Sequence, residues 1–172
     1  MVLHLNPAQI DAIRQHGERV FPQECCGLLL GDIELREGVT HKLIREVWSI
    51  DNAWESADNP LNDGEAIERR FLIDPQAFKR GFDYARSKQL GIVGTYHSHP
   101  NHPAIPSEFD RQNAFPWGYS CVIVNVMDGS ARDVRSWVLD ESDRPEPETI
   151  ESVSKDSAAS PDVAEAGTMA IV

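Results

Sequence analysis

The chain is poor in cysteine, and what it has forms no framework. Cys25, Cys26 and Cys121 are an odd set, two of them adjacent, and no Cys-x-x-Cys occurs. A disulfide scaffold is therefore excluded, and the three read as buried, reduced, small apolar residues. Positive charge is also scarce. With 16 Lys and Arg against 28 Asp and Glu the net charge is −12, a field that repels phosphate backbones and anionic lipid. Neither nucleic acid nor a membrane is an expected partner. No apolar run approaches the roughly 20 residues that cross a bilayer, and Met1 to Pro7 lacks a basic region followed by an apolar core. The expected location is the cytoplasm. There is no internal repeat. What is present is ordinary globular material: 172 residues, 41% hydrophobic, with four Trp and six Phe, enough for one domain with a real core.

Asn6-Pro7-Ala8-Gln9 predicts a helix start, with Asn6 as N-cap, Pro7 in the first position and Gln9 reaching back. The helix should run to about Val20, since Pro22 stops it. Cys26 to Gly31 is a short apolar run expected to be a strand buried on both faces, paired with a second strand over His41 to Ile50 after a turn near Glu37-Gly38. Asp51 to about Arg70, rich in Asn, Asp, Gly and Pro, reads as a long loop. Asp74-Pro75 predicts a second helix carrying Phe78, Phe82 and Ala85 and ending at Leu90-Gly91. Ile92 to His97 is a β-branched strand. Tyr119 to Met127 and Arg132 to about Leu139 are two more, joined by the turn Asp128-Gly129-Ser130. The sum is an α/β fold, a mixed sheet flanked by helices, over residues 1–140. After Asp140 no aromatic residue remains, and Glu, Asp, Ser, Pro and Ala dominate. Residues 141–172 are expected to be an acidic, disordered tail.

The chemistry sits in Tyr96-His97-Ser98-His99-Pro100 and Ser107-Glu108-Phe109-Asp110, with Glu24 far upstream. His97 and His99 are two apart at a strand end, so both imidazoles face one way and one ion can take both. Three prolines stiffen the path from Pro100 to Pro106. Ser107 is then an N-cap, with Asp110 three residues on, where its carboxylate can turn back as a third ligand. Three protein ligands leave a fourth tetrahedral position open, the mark of a catalytic rather than a structural zinc. Each part has a plain alternative: His-x-His as ordinary histidines, Ser-x-x-Asp as a capping box, Glu24 as a solvated carboxylate.

Taken together, His97-Ser98-His99, the seven residues to Pro106, Ser107-x-x-Asp110 and the upstream Pro22-Gln23-Glu24-Cys25-Cys26-Gly27 resemble the JAMM (MPN+) zinc metallopeptidases, of the short prokaryotic type. The resemblance covers roughly Leu3 to Leu139. It implies a JAMM/MPN fold, cytidine-deaminase-like, and one Zn2+ per chain held by His97, His99 and Asp110. It further implies Glu24 as general base and Ser107 beside the oxyanion. The absence of Cys-x-x-Cys and of His-x-Glu argues against a zinc deaminase itself. The activity implied is hydrolysis of an amide at the C-terminal Gly-Gly tail of a ubiquitin-like or sulfur-carrier protein.

Two other readings stay open: a catalytically silent scaffold, since many MPN-type domains only bind partners, and a hydrolase of small amides. Ser98 points to the other face of its strand and reads as structural; His102 is out of phase on the proline-rich loop. Residues 51–70 read equally as a groove wall or a solvated insertion. A thiol nucleophile at Cys25-Cys26 is disfavoured, because leucine neighbours raise a thiol pKa.

Overall fold

The structure is a computed structural model that describes residues 1–113 and 118–152. The order is β1 (Val2–Leu5), α1 (Pro7–Val20), β2 (Cys26–Arg36), β3 (Val39–Ile50), α2 (Pro75–Ser87), β4 (Gly91–Pro100), α3 (Glu108–Asn113), β5 (Ser120–Met127), β6 (Ser130–Leu139) and β7 (Pro145–Ser152). None of the described helices is long and apolar enough to cross a membrane.

Local chemistry sets the helix starts as expected. The Asn6 side chain accepts from Gln9 N at 2.9 Å while the Gln9 side chain accepts from Asn6 N at 2.8 Å, a reciprocal cap ahead of Pro7. Asp74 caps α2 by accepting from Ala77 N at 2.8 Å. The hairpin β2-β3 turns through Glu37 and Gly38, both at positive φ (51° and 79°), and β5-β6 turns through Asp128 and Gly129 in the same way.

The sheet runs β1-β3-β2-β4-β5-β6-β7 and closes on itself, because β7 pairs in parallel with β1. Beyond that seam, β1-β3 and β4-β5 are the other parallel pairs; β2-β3, β2-β4, β5-β6 and β6-β7 are antiparallel. This closure corrects the expected end of the folded region at residue 140. Segment 145–152 is a strand, polar because its ladder is satisfied on both sides and its one buried acid, Glu148, meets the Lys42 ammonium at 3.2 Å. Residues 153–172, the remainder of the expected tail, lie outside the described residues. β1 is an addition too, four residues stabilised by two neighbours rather than by its own pattern.

Two apolar cores lie on opposite faces of the sheet. One packs α1 through Ile13 against Leu3, Leu5, Leu29, Val122, Val124 and Val126. Gly17 on α1 allows the close approach, since a Cβ there would stand 2.9 Å from Val126 Cγ2. The other packs α2 through Ala77 and Ala85 against Leu28, Leu30, Ile92 and Ile123, with Phe71 from the preceding loop. Each fully buried aliphatic or aromatic side chain contributes about 1.5–3 kcal/mol. The C-terminal end of β4 emerges on this second face, and there the histidines stand.

Candidate metal centre

Alternation along β4 puts His97 and His99 on one face, with their Nε2 atoms 3.0 Å apart. Ser98 between them faces the other way: its Oγ accepts from Cys25 N at 2.8 Å and its N–H donates to Cys25 O at 3.1 Å. That stitch fixes the segment carrying Glu24 against the strand carrying the histidines.

Asp110 arrives from the short helix α3. Ser107 N and Oγ both donate to Asp110 Oδ2 at 2.7 Å, and Ser107 Oγ accepts from Asp110 N at 3.1 Å. The carboxylate is thereby turned back, Oδ1 lying 3.4 Å from His97 Nε2 and Oδ2 lying 3.2 Å from His99 Nε2. One donor atom from each of the three residues lies within 4.8 Å of the others, and all three residues are buried. The expected ligand set is brought together.

The donor chemistry fits a cation. His99 Nδ1 lies 2.8 Å from Pro103 O, which can only accept, so Nδ1 carries a proton and Nε2 is the nitrogen left facing the other two donors. His97 is fully buried and stacks on Phe71 at 4.5 Å. Burial pushes its pKa down, outweighing the pull of Asp110, which keeps the ring neutral. Two imidazole nitrogens and a carboxylate aimed at one point repel one another unless something positive lies between them.

Glu24 is 6% exposed. Burial above all, then the charge of Asp110, raises its carboxyl pKa well above the usual value, while Arg70 and Arg69 pull it back. A cavity of about 210 Å³ is lined by Glu24, His99 and Ser107 together with Arg69, Arg70, His102, Pro103 and Ile105. His102 is thus on the wall, and its carbonyl is held by Asn125 Nδ2.

The cysteines take no part in this. Burial drives the Cys25 thiol up to about 12, and Cys26 and Cys121 are raised as well, so none is poised as a nucleophile.

The 51–73 segment is tied down at both ends, while residues 55–66 between them are exposed apart from half-buried Asn59. Asn52 Nδ2 donates to Glu24 O at 3.0 Å and to Arg70 O at 2.9 Å, while its Oδ1 accepts from Trp54 N and Leu72 N. Glu24 N donates to Ile67 O at 3.1 Å, and Trp54, 2% exposed, anchors the loop through Nε1 to Glu65 O. The sequence reading missed Asn52, Arg69, Arg70 and Phe71. Only the aromatic and Asn content of the segment hinted at them.

A model of prokaryotic homologues of the JAB domain matches residues 7–140. The chain belongs to the prokaryotic JAB family. A desampylase of Pyrococcus furiosus is 30% identical over 74 residues, which are 43% of this chain and 50% of that protein. The match thus spans about half the length of that relative. Among solved structures, a Salinibacter ruber protein is 29% identical with a TM-score of 0.64, covering 91% of this chain and 94% of its own. A Desulfitobacterium hafniense protein superposes with a TM-score of 0.67 at 23% identity, covering 90% and 94%. A JAB1/MPN domain protein of Archaeoglobus fulgidus gives a TM-score of 0.51 at 17% identity, covering 90% and 97%. At those identities the last two speak to the fold alone, and for this JAB domain the fold agrees.

Proposed function

We propose that this JAB domain is a zinc-dependent hydrolase of amide bonds, cutting at the C-terminal Gly-Gly tail of a ubiquitin-like or sulfur-carrier protein. The observation that carries the reading is that a buried carboxylate, Glu24, lines one cavity with His99, a member of the buried donor set His97, His99 and Asp110. The desampylase likeness supports a ubiquitin-like modifier as the substrate class.

His97 Nε2, His99 Nε2 and an Asp110 oxygen would hold the zinc. When bound, zinc supplies Lewis acidity that polarises the scissile carbonyl and eases deprotonation of water to near neutral pH. Glu24 takes the proton of the attacking water and delivers it to the leaving amine, a shuttle typically worth ~10²–10⁴-fold. Its raised pKa suits it to hold that proton between the two steps. Ser107 Oγ lies on the cavity wall and donates to Asp110 at rest. By turning from the carboxylate it can donate to the tetrahedral oxyanion. An extended Gly-Gly tail suits the narrow cavity, since glycine lets a backbone approach closely.

The test is incubation of zinc-loaded protein with carrier-peptide fusions joined after Gly-Gly, beside the Glu24→Gln variant. Cleavage by the first and not the second is expected; equal cleavage by both sinks the proposal. Metal content separates it from the silent-scaffold alternative: about one zinc per chain, lost in His97→Ala and Asp110→Ala.

A further inference from the structure

Two guanidinium groups line the cavity of a chain whose net charge is −12. They are not equivalent. Arg70 is already committed: Nε donates to Asp63 Oδ2 at 2.9 Å, Nη1 donates to Arg69 O at 2.7 Å, and the guanidinium lies 4.5 Å over the Phe109 ring. Its side chain is 17% exposed. Arg69 is loosely engaged. Its side chain is 60% exposed, and its ionic contact among the described residues is Glu65 at 3.7 Å, itself largely solvated. Such an exposed pair is worth little and exchanges readily for a better partner. The backbone beneath it is firm, since Arg69 N donates to Ala66 O at 2.9 Å and Asn52 holds the neighbouring Arg70 carbonyl. A mobile fork on a fixed base, at the mouth of a cavity, is suited to a planar anion.

We infer that Arg69 is a specificity-determining residue that binds a carboxylate of the substrate close to the scissile amide. The inference rests on the hydrolase reading and adds a charge requirement to it. A carboxylate matches the guanidinium fork with two parallel hydrogen bonds. The fixed charge of Arg70 lowers the cost of bringing a second anion near Glu24, and a monoanion is repelled by that carboxylate less than a phosphate dianion is. Two sources share this chemistry: the terminal α-carboxylate of a short leaving group, and an acidic side chain next to the cut.

The experiment uses zinc-loaded full-length protein and three peptides that continue past Gly-Gly by one residue: alanine with a free acid, alanine amide, and glutamic acid amide. The kcat/KM ratio of a charged peptide to alanine amide is expected to be about ten-fold in the parent, since a charge-assisted pair contributes about 1.5 kcal/mol or more. Arg69→Ala should bring the ratio to about one, and Arg69→Lys should retain part of it. Which charged peptide is preferred identifies the source. A parent ratio of one, or a preference that survives in Arg69→Ala, overturns the inference. Fluorescence anisotropy of the same peptides on Glu24→Gln protein, with and without Arg69→Ala, reads the selectivity without turnover. If no peptide is cut by the parent, the hydrolase reading fails. Charge-selective binding lost in Arg69→Ala still supports the assignment then, and unselective binding overturns it.

Discussion

Two buried polar clusters lie in this sheet, and they are completed in opposite ways. At the end of β4, His97, His99, Asp110 and Glu24 gather lone pairs and negative charge beside an open cavity, and none of the four is hydrogen-bonded or ion-paired to a lysine or arginine side chain among the described residues. On the other face, the Lys42 ammonium lies 3.2 Å from Glu148 and donates to Ser120 Oγ at 2.9 Å, while Ser136 Oγ donates to Glu148 at 2.6 Å. Burial lowers the Lys42 pKa, and Glu148 opposes that shift. A cluster of acceptors inside a protein needs a positive partner. Where the chain supplies its own amine the result is closed and structural; where it supplies none, the three donors form a group that could hold a metal ion.

The comparison can be broken at either cluster. The largest effect is expected at the open one: Glu24→Gln should lower cleavage of a Gly-Gly fusion by about 10²–10⁴-fold while metal analysis still finds zinc. A comparable loss in metal content would recast Glu24 as a ligand. At the closed cluster, Lys42→Met leaves Glu148 buried and unpaired, and urea unfolding should show a loss of about 3–5 kcal/mol. Adding Glu148→Leu should recover most of it. Next in size is the ion itself. Zinc at a hundred-fold excess over its Kd should stabilise the parent by about 2.7 kcal/mol, roughly 5–10 °C in Tm, and Lys42→Met should keep that increment whereas Asp110→Ala should lose it. The smallest effect concerns a third buried polar group, His16, whose Nδ1 lies 2.8 Å from the Tyr96 hydroxyl. Burial lowers its pKa, so below about 6.5 the unfolded chain takes up the proton first. Its contribution is complete above that pH and is lost as the pH falls toward the folded pKa, by up to about 1.4 kcal/mol per pH unit. His16→Gln should flatten that part of a Tm-against-pH curve.

What could be read from the sequence was what local chemistry dictates. Asn6-Pro7 and Asp74-Pro75 announced their helices because a cap needs only its next few residues, and β4 and β5 announced themselves through β-branched runs. His97, His99, Asp110, Ser107 and Glu24 stood out in the sequence through the spacing of a family motif, and the structure brings His97, His99 and Asp110 together, with Glu24 and Ser107 on a cavity that His99 also lines. β1 and β7 were hidden, since their stability comes from parallel pairing between segments more than 140 residues apart. β2 and β3 also extend further than the apolar pattern indicated, because the Ile33 to Arg36 end of the hairpin is largely solvent-facing and carries no burial signal. Asn52 and Arg69 escaped for a related reason: an asparagine that satisfies two distant carbonyls looks, in one dimension, like any turn residue.

Ser98 carries a consequence for how this centre can fail. Ligands and fastener alternate along a single strand, so sliding β4 by one position would turn both imidazoles into the opposite core and aim the serine at the cavity. Damage to the register of β4 should therefore displace both imidazoles and release the Glu24 segment in the same event.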